Sequence, residues 1–93
     1  MFNGIIFNTG KVKIIKKNKK SIYVGIQTKI KFNNEDLGSS ICCDGVCLTI
    51  ERIYKGKIFF YISNETLKRS NFKNLKINQI INLEKSLTYG QNI

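Results

Sequence analysis

The sequence predicts an all-β fold: a small antiparallel barrel of about six strands with one short helix. Three observations predict it. Segments that alternate apolar and polar side chains recur roughly every 10–15 residues, with turn residues between them. An Asp44-Gly45 dipeptide separates two apolar runs, and such a pair favours the type I′ hairpin turn, which needs φ > 0 at both central residues. The chain has 93 residues, 42% hydrophobic and 24% charged, which is the composition of one globular domain with one core. The barrel is expected over residues 1–87, with residues 88–93 as a short tail.

Each element follows from its local pattern. Residues 1–7 are extended and apolar, with Gly4 permitting a close approach or a bulge. Gly10 punctuates this run. Lys11-Val12-Lys13-Ile14-Ile15 then alternates as a half-exposed strand does. The basic run Lys16-Lys17-Asn18-Lys19-Lys20 reads as a solvated hairpin tip rather than a phosphate contact. Residues 21–30 alternate again, with Ile22, Val24, Ile26 and Ile30 towards the core. Residues 33–38 form a polar connection that ends in Gly38.

Residues 39–50 are the hairpin around which the chain is organised. Val46, Leu48 and Ile50 share the core face, while Cys47, Thr49 and Glu51 share the other. A thiol and a hydroxyl thus stand side by side on a strand, which holds a site more firmly than a loop. The strand is expected to continue through Ile53. Tyr54-Lys55-Gly56-Lys57 is a second turn. Ile58-Phe59-Phe60-Tyr61-Ile62 is continuously apolar or aromatic, as a strand covered on both faces is. Asn64 is a good helix N-cap, Glu65 suits the N-terminal end, and Lys68 with Arg69 suits the C-terminal end. One or two helical turns follow. Residues 75–79 form a turn, and residues 80–84 form the last strand, with Ile81 and Leu83 inward.

Charge and cysteine content bound the function classes. The formal net charge of +10 raises the question of an anionic partner. Only Arg52 and Arg69 are arginines, whereas a phosphate-binding face favours the bidentate arginine fork. The lysines are spread among asparagine and isoleucine, and a general compositional drift would give the same charge without an anionic ligand. An oligonucleotide-binding barrel needs aromatic platforms on its basic face, and here Phe59, Phe60 and Tyr61 lie on a strand that reads as internal. Nucleic acid is therefore not the expected partner. Cys42, Cys43 and Cys47 come without any histidine, so a tetrahedral zinc site would lack ligands. Neighbouring Cys42 and Cys43 point to opposite strand faces, which argues against a disulfide framework. Reduced thiols fit a cytoplasmic protein. No apolar run approaches the roughly 18–20 residues of a membrane span, and Met1-Phe2-Asn3-Gly4 lacks the features of a signal peptide.

Four segments, in order along almost the whole chain, together resemble the N-terminal half of the riboflavin synthase family, the lumazine-binding barrels. They are Met1-Phe2-Asn3-Gly4-Ile5-Ile6, Asp44-Gly45-Val46-Cys47-Leu48-Thr49-Ile50, Asn64-Glu65-Thr66-Leu67, and Ile81-Asn82-Leu83-Glu84 followed by Lys85-Ser86-Leu87. The family usually has Thr in place of Asn3, and Asn more often than Asp44. The resemblance implies a six-stranded Greek-key barrel. It also implies a reaction in which two molecules of 6,7-dimethyl-8-ribityllumazine exchange a four-carbon unit, giving riboflavin and a ribitylamino-pyrimidinedione. No cofactor is implied, because the substrate is its own electrophile and nucleophile. The protein's part is positioning, proton transfer and stabilisation of delocalised charge.

Carried onto this sequence, the resemblance implies that Gly4, Ile5 and Ile6 line one side of the pteridine and that Phe2 packs at the mouth of the site. Backbone groups of Cys47, Leu48 and Thr49 would meet the ring edge, with the Thr49 hydroxyl beside them. Tyr61, Ile62, Ser63, Asn64, Glu65 and Thr66 would border the ring and the ribityl chain. Ser40 and Cys47 would be the polar groups near the reacting carbon. A second, similar barrel follows in the family from about the position of Gly90, bringing a histidine and the second substrate site, and full-length members are homotrimers. A single barrel is expected to pair with another copy as a homodimer. A non-catalytic flavin or lumazine carrier of the same family is the alternative.

Overall fold

The computed structural model describes residues 5–86, with side chains from Asn8 to Lys85. Phe2, the proposed role of Gly4, and the tail 88–93 lie outside the described residues. Seven strands form one antiparallel sheet: β1 (Ile5–Lys17), β2 (Ser21–Thr28), β3 (Ser40–Cys43), β4 (Val46–Thr49), β5 (Arg52–Tyr54), β6 (Lys57–Ser63) and β7 (Ile80–Ser86). One α-helix, α1 (Asn64–Arg69), follows β6 among the described residues. The spatial order is β4-β3-β7-β1-β2-β6-β5.

The two edge strands of that order are consecutive in the chain. β4 pairs with β3 at one edge and β5 with β6 at the other, and only Ile50 and Glu51 separate them. The Ile50 amide donates to Ser39 O at 2.9 Å, and the next amide, Glu51 N, donates to Phe59 O at 2.8 Å. These two residues therefore bond both edges and curl the sheet upon itself. A strand continuing unbroken through Ile53 is the one expectation this corrects. Glu51 and Arg52 both stand opposite Phe59, a bulge that turns the chain from one edge to the other. Counted as one bent strand, β4 and β5 give the six expected.

Period-two alternation fills the interior. Phe60, Ile41, Ile50, Ile58, Ile62, Ile81, Leu83, Val12 and Val24 are each at most 2% exposed. Both tight turns take the conformation their sequences demand: Asp44 and Gly45 have φ of 47° and 85°, and Lys55 and Gly56 have 49° and 76°. The lysine-rich tip is an exposed hairpin end, where Asn18 Oδ1 accepts from the amides of Lys20 and Ser21.

Gly10 does not interrupt the first strand. β1 runs through it, pairing with β7 from Ile5 to Lys11 and with β2 from Gly10 to Lys17. A Cβ there would collide with Ile26 Cγ2 and Leu83 Cδ1, so glycine is needed for close packing where the long strand changes neighbours. The register slips at Lys13, between Val12 and Ile14. β6 is covered on both faces only as far as Phe60, since Tyr61 is 56% exposed. The helix N-cap is Ser63, whose Oγ accepts from Thr66 N at 3.2 Å. Asn64 instead donates through Nδ2 to Lys19 O, tying α1 to the β1–β2 hairpin.

Two features have no strong signal in the sequence. A 3-10 turn at Asn71–Asn74 inserts Phe72 into the core. Asp36, in a 3-10 turn capped by Asn33, is buried and accepts from Asn33 N and from Lys85 Nζ at 3.2 Å. That pair anchors the β2–β3 connection to β7.

Candidate functional site

The hydrogen-bonding parity of β4 and β6 defines a site at the seam of the barrel. Ile50 directs its amide towards β3. Because direction alternates along a strand, Val46 and Leu48 do the same, and Cys47 and Thr49 direct their N–H and C=O groups away from β3. No strand lies beside them on that side among the described residues. On β6, Phe59 O accepts from Glu51 N, while Thr28 N donates to Gly56 O and Asn64 N to Lys20 O. The even-numbered residues of β6 thus bond β2. Tyr61 and Ser63 direct their backbone groups to the other side, beyond the start of β5. Two short open edges, Cys47 to Thr49 and Tyr61 to Ser63, thus lie on either side of the seam that the bonds at Ile50 and Glu51 close. β4 and β6 approach within 8 Å, Cα to Cα.

Side chains complete the seam. Ser40 stands opposite Thr49 and Cys42 opposite Cys47 across the hairpin. Ser40, Cys47 and Thr49 are exposed on the outer face, and Leu48 and Ile50 point into the core. On the β6 side, Tyr61 packs against Tyr23 at 4.7 Å between ring centroids, and Tyr23 stacks on Phe59 at 5.4 Å. Phe59 lies over Gly25, where any Cβ would strike its ring. Arg52 sits over the Phe59 ring at 5.4 Å. Beyond Ser63, helix α1 rises towards the β3–β4 turn, with a cleft of about 250 Å³ between Asp44, Val46 and Arg69, Ser70, Asn71, Phe72. The largest cleft described, about 600 Å³ over β1, β7 and the Asp44-Gly45 turn, is shallow and lies away from the open edges.

An arrangement of this kind can hold a flat heterocycle. Backbone donors and acceptors spaced along a strand edge bind a planar edge of alternating donors and acceptors as they would bind another strand. The lumazine-binding domain model matches residues 3–86. The chain belongs to the lumazine-binding domain family. It is 36% identical over its whole length to riboflavin synthase of Buchnera aphidicola subsp. Baizongia pistaciae, covering 44% of that protein. It is 33% identical to riboflavin synthase of Chlamydia muridarum, covering all of this chain and 46% of that one. Riboflavin synthase of Actinobacillus pleuropneumoniae is 34% identical over 94% of this chain and 40% of its own length. The chain spans less than half the length of these curated relatives.

Within this lumazine-binding domain, the expected site residues fall into four groups. Cys47 and Thr49 lie on the β4 side of the seam, with Ser40 opposite Thr49 on β3, and Tyr61 and Ser63 lie on its β6 side. Leu48 and Ile62 put their side chains into the core, at 6% and 2% exposure. Asn64, Glu65 and Thr66 begin the helix, where Glu65 pairs with Arg69 at 3.6 Å and Thr66 Oγ1 accepts from Ser63 Oγ at 3.1 Å. Ile5 and Ile6 pair with Ser86 and Lys85 on β7. They lie three strands from β4, about 14 Å along the sheet at the usual strand spacing.

Tyr23 and Cys42 stand beside the seam residues on the outer face. Tyr23 had no local signal, because its contacts are with residues 36 and 38 positions further on. Cys42 had one: a two-residue turn at Asp44-Gly45 fixes the register and sets Cys42 opposite Cys47. The three thiols differ sharply. Cys43 is buried, and desolvation pushes its thiol up to about 12, with the nearby charges of the hairpin adding to the shift. Burial also raises the Cys42 thiol, helped by the Glu84 carboxylate beside it, which favours the protonated form. Cys47 is exposed.

Proposed function

We propose that this chain is the N-terminal half of a riboflavin synthase and that its seam binds 6,7-dimethyl-8-ribityllumazine and the product riboflavin. The observation that carries the reading is the pair of strand edges at Cys47, Thr49, Tyr61 and Ser63 that have no neighbouring strand among the described residues, the stretches that the family resemblance assigns to the pteridine. The ring edge takes the place of a missing strand between β4 and β6, with the Thr49 hydroxyl as a further partner. Ser63, Asn64, Glu65 and Thr66 border the ribityl chain. Ser40 and Cys47 stand near the reacting carbon, where they exchange protons as the four-carbon unit passes from one lumazine to the other.

One ring at the seam is bordered by β4 and β6 of its own chain. Ile5 and Ile6 lie on β1, three strands from β4 and two from β6 in the sheet order, and in this reading they border a ring held by a second copy. A two-fold pair of barrels would exchange these contacts symmetrically. The 93-residue chain is therefore expected to form a homodimer with one ligand per chain. Turnover by such a pair should be weak or absent, because two identical sites need not supply an unlike proton donor and acceptor, and a misplacement of about 1 Å costs on the order of 100-fold in rate.

Titration of riboflavin fluorescence tests the reading. Thr49→Val should weaken binding by about 1–3 kcal/mol, and Thr49→Ser much less, because the hydroxyl remains. Equal affinity of wild type and the Val variant would remove Thr49 from the site. Light scattering with and without riboflavin tests the dimer.

A further inference from the structure

Cys42 and Cys47 are cross-strand partners on the outer face of the β3–β4 hairpin. The two-residue turn makes Cys43 and Val46 a hydrogen-bonded pair, so the next pair, Cys42 with Cys47, is non-hydrogen-bonded. In such a pair the Cα atoms stand about 4.5 Å apart and the side chains are at their closest. Disulfides span Cα separations of roughly 4.4–6.8 Å. Both thiols are free in the structure, Cys47 exposed and Cys42 half-buried. Cys43, free as well, points to the opposite face of the sheet and is 0% exposed. Glu84 is the register partner of Cys42 on β7, so Cys47, Cys42 and Glu84 form one row across three strands.

We propose that Cys42 and Cys47 are a reversible dithiol–disulfide pair that reacts with disulfide oxidants of the glutathione class. Cys47 reacts first, being open to solvent. Its thiolate forms a bond to one sulfur of the oxidant, and the other sulfur leaves as a thiolate. Cys42 then attacks Cys47 Sγ, its proton passes to the Glu84 carboxylate, and the second glutathione thiolate leaves. Two protein thiols are oxidised to one disulfide while one oxidised glutathione is reduced to two thiols. Burial and the adjacent carboxylate favour the protonated form of Cys42, which suits the thiol that reacts second rather than first. The bond would staple β3 to β4 at the rung where the Cys47 backbone faces the seam.

The test needs no ligand. The purified chain is equilibrated with mixtures of reduced and oxidised glutathione, quenched in acid, unfolded, alkylated and weighed. Wild type should lose two of its three alkylatable thiols, with no glutathione retained and full recovery on reduction. Cys43→Ala should lose both of its thiols under the same conditions. Cys42→Ser should instead carry glutathione on Cys47 as the end product, and Cys47→Ser should lose no thiols in pairs. A wild type that ends as a stable mixed disulfide, or an internal disulfide that persists in Cys42→Ser, would overturn the proposal.

Discussion

The barrel has two unlike halves. In one, β7, β1 and β2 are each paired on both edges, and β1 and β2 each make seven register pairs with each neighbour. In the other, β4 and β6 lie side by side, and among the described residues their facing edges are joined at Glu51 and Phe59 alone. The first half spends its backbone groups on itself and depends on side-chain fit, as Gly10 between Ile26 and Leu83 illustrates. The second has no strand partner, among the described residues, for the outward donors and acceptors of Cys47, Thr49 and Tyr61. Stability and recognition are thus divided by region, and the division runs within one strand: Leu48 belongs to the core and Thr49 to the seam.

Substitutions that respect or cross this boundary test it. Phe60→Ala, at the fully buried centre, should cost about 3–5 kcal/mol in a denaturant titration, and Leu48→Ala about 2–5. A loss within the noise at Leu48 would take β4 out of the core. Gly10→Ala should cost about 1–3 kcal/mol, because neither Ile26 nor Leu83 can move aside without disturbing β2 or β7. The buried Cys43 thiol predicts a smaller effect at high pH. Below pH 9, its ordinary value, the thiol is protonated in both states and its burial contributes fully. As pH rises from 9 towards about 12 the unfolded thiol ionises while the folded one does not, so stability falls. That loss is about 1 kcal/mol at pH 10, and Cys43→Ala should flatten it. Thr49→Val, one residue from Leu48, should change stability by less than about 0.5 kcal/mol while weakening riboflavin binding. A large loss of stability at Thr49 would erase the boundary.

What was legible in the sequence was local. Asp44-Gly45 set the hairpin, and alternation on either side of it separated Leu48 and Ile50 from Cys47 and Thr49. Long-range features were not legible. Gly10 reads as a break because glycine in a strand usually weakens it, and only the distant Ile26 and Leu83 explain its presence. The run from Ile58 to Ile62 reads as covered on both faces. That holds at Phe59 because Gly25, on another strand, leaves room for its ring, and it ceases at Tyr61. Ser63 and Asn64 are both good N-caps by type. Where β6 ended decided between them, and Asn64 was drawn to Lys19. The closure at Ile50 and Glu51 depends on which edges meet, which no local pattern encodes.

The β3–β4 hairpin joins the remaining sheet at two rungs among the described residues, Cys42 with Glu84 and Cys43 with Leu83. At its tip, Asp44 N donates to Asn82 O, and Asn82 N donates back to Asp44 Oδ1, each at 2.8 Å. A segment with so short a ladder is the cheapest cooperative unit to detach, held by Ile41, Cys43 and Leu48 like a flap on an apolar cushion. Its amides should therefore exchange with deuterium as a block, well before those of β1 and β2, with Asp44 as the latch. Breathing of this flap would widen the slot between β4 and β6 without unfolding the barrel, giving a planar guest a way in that the static outline does not display.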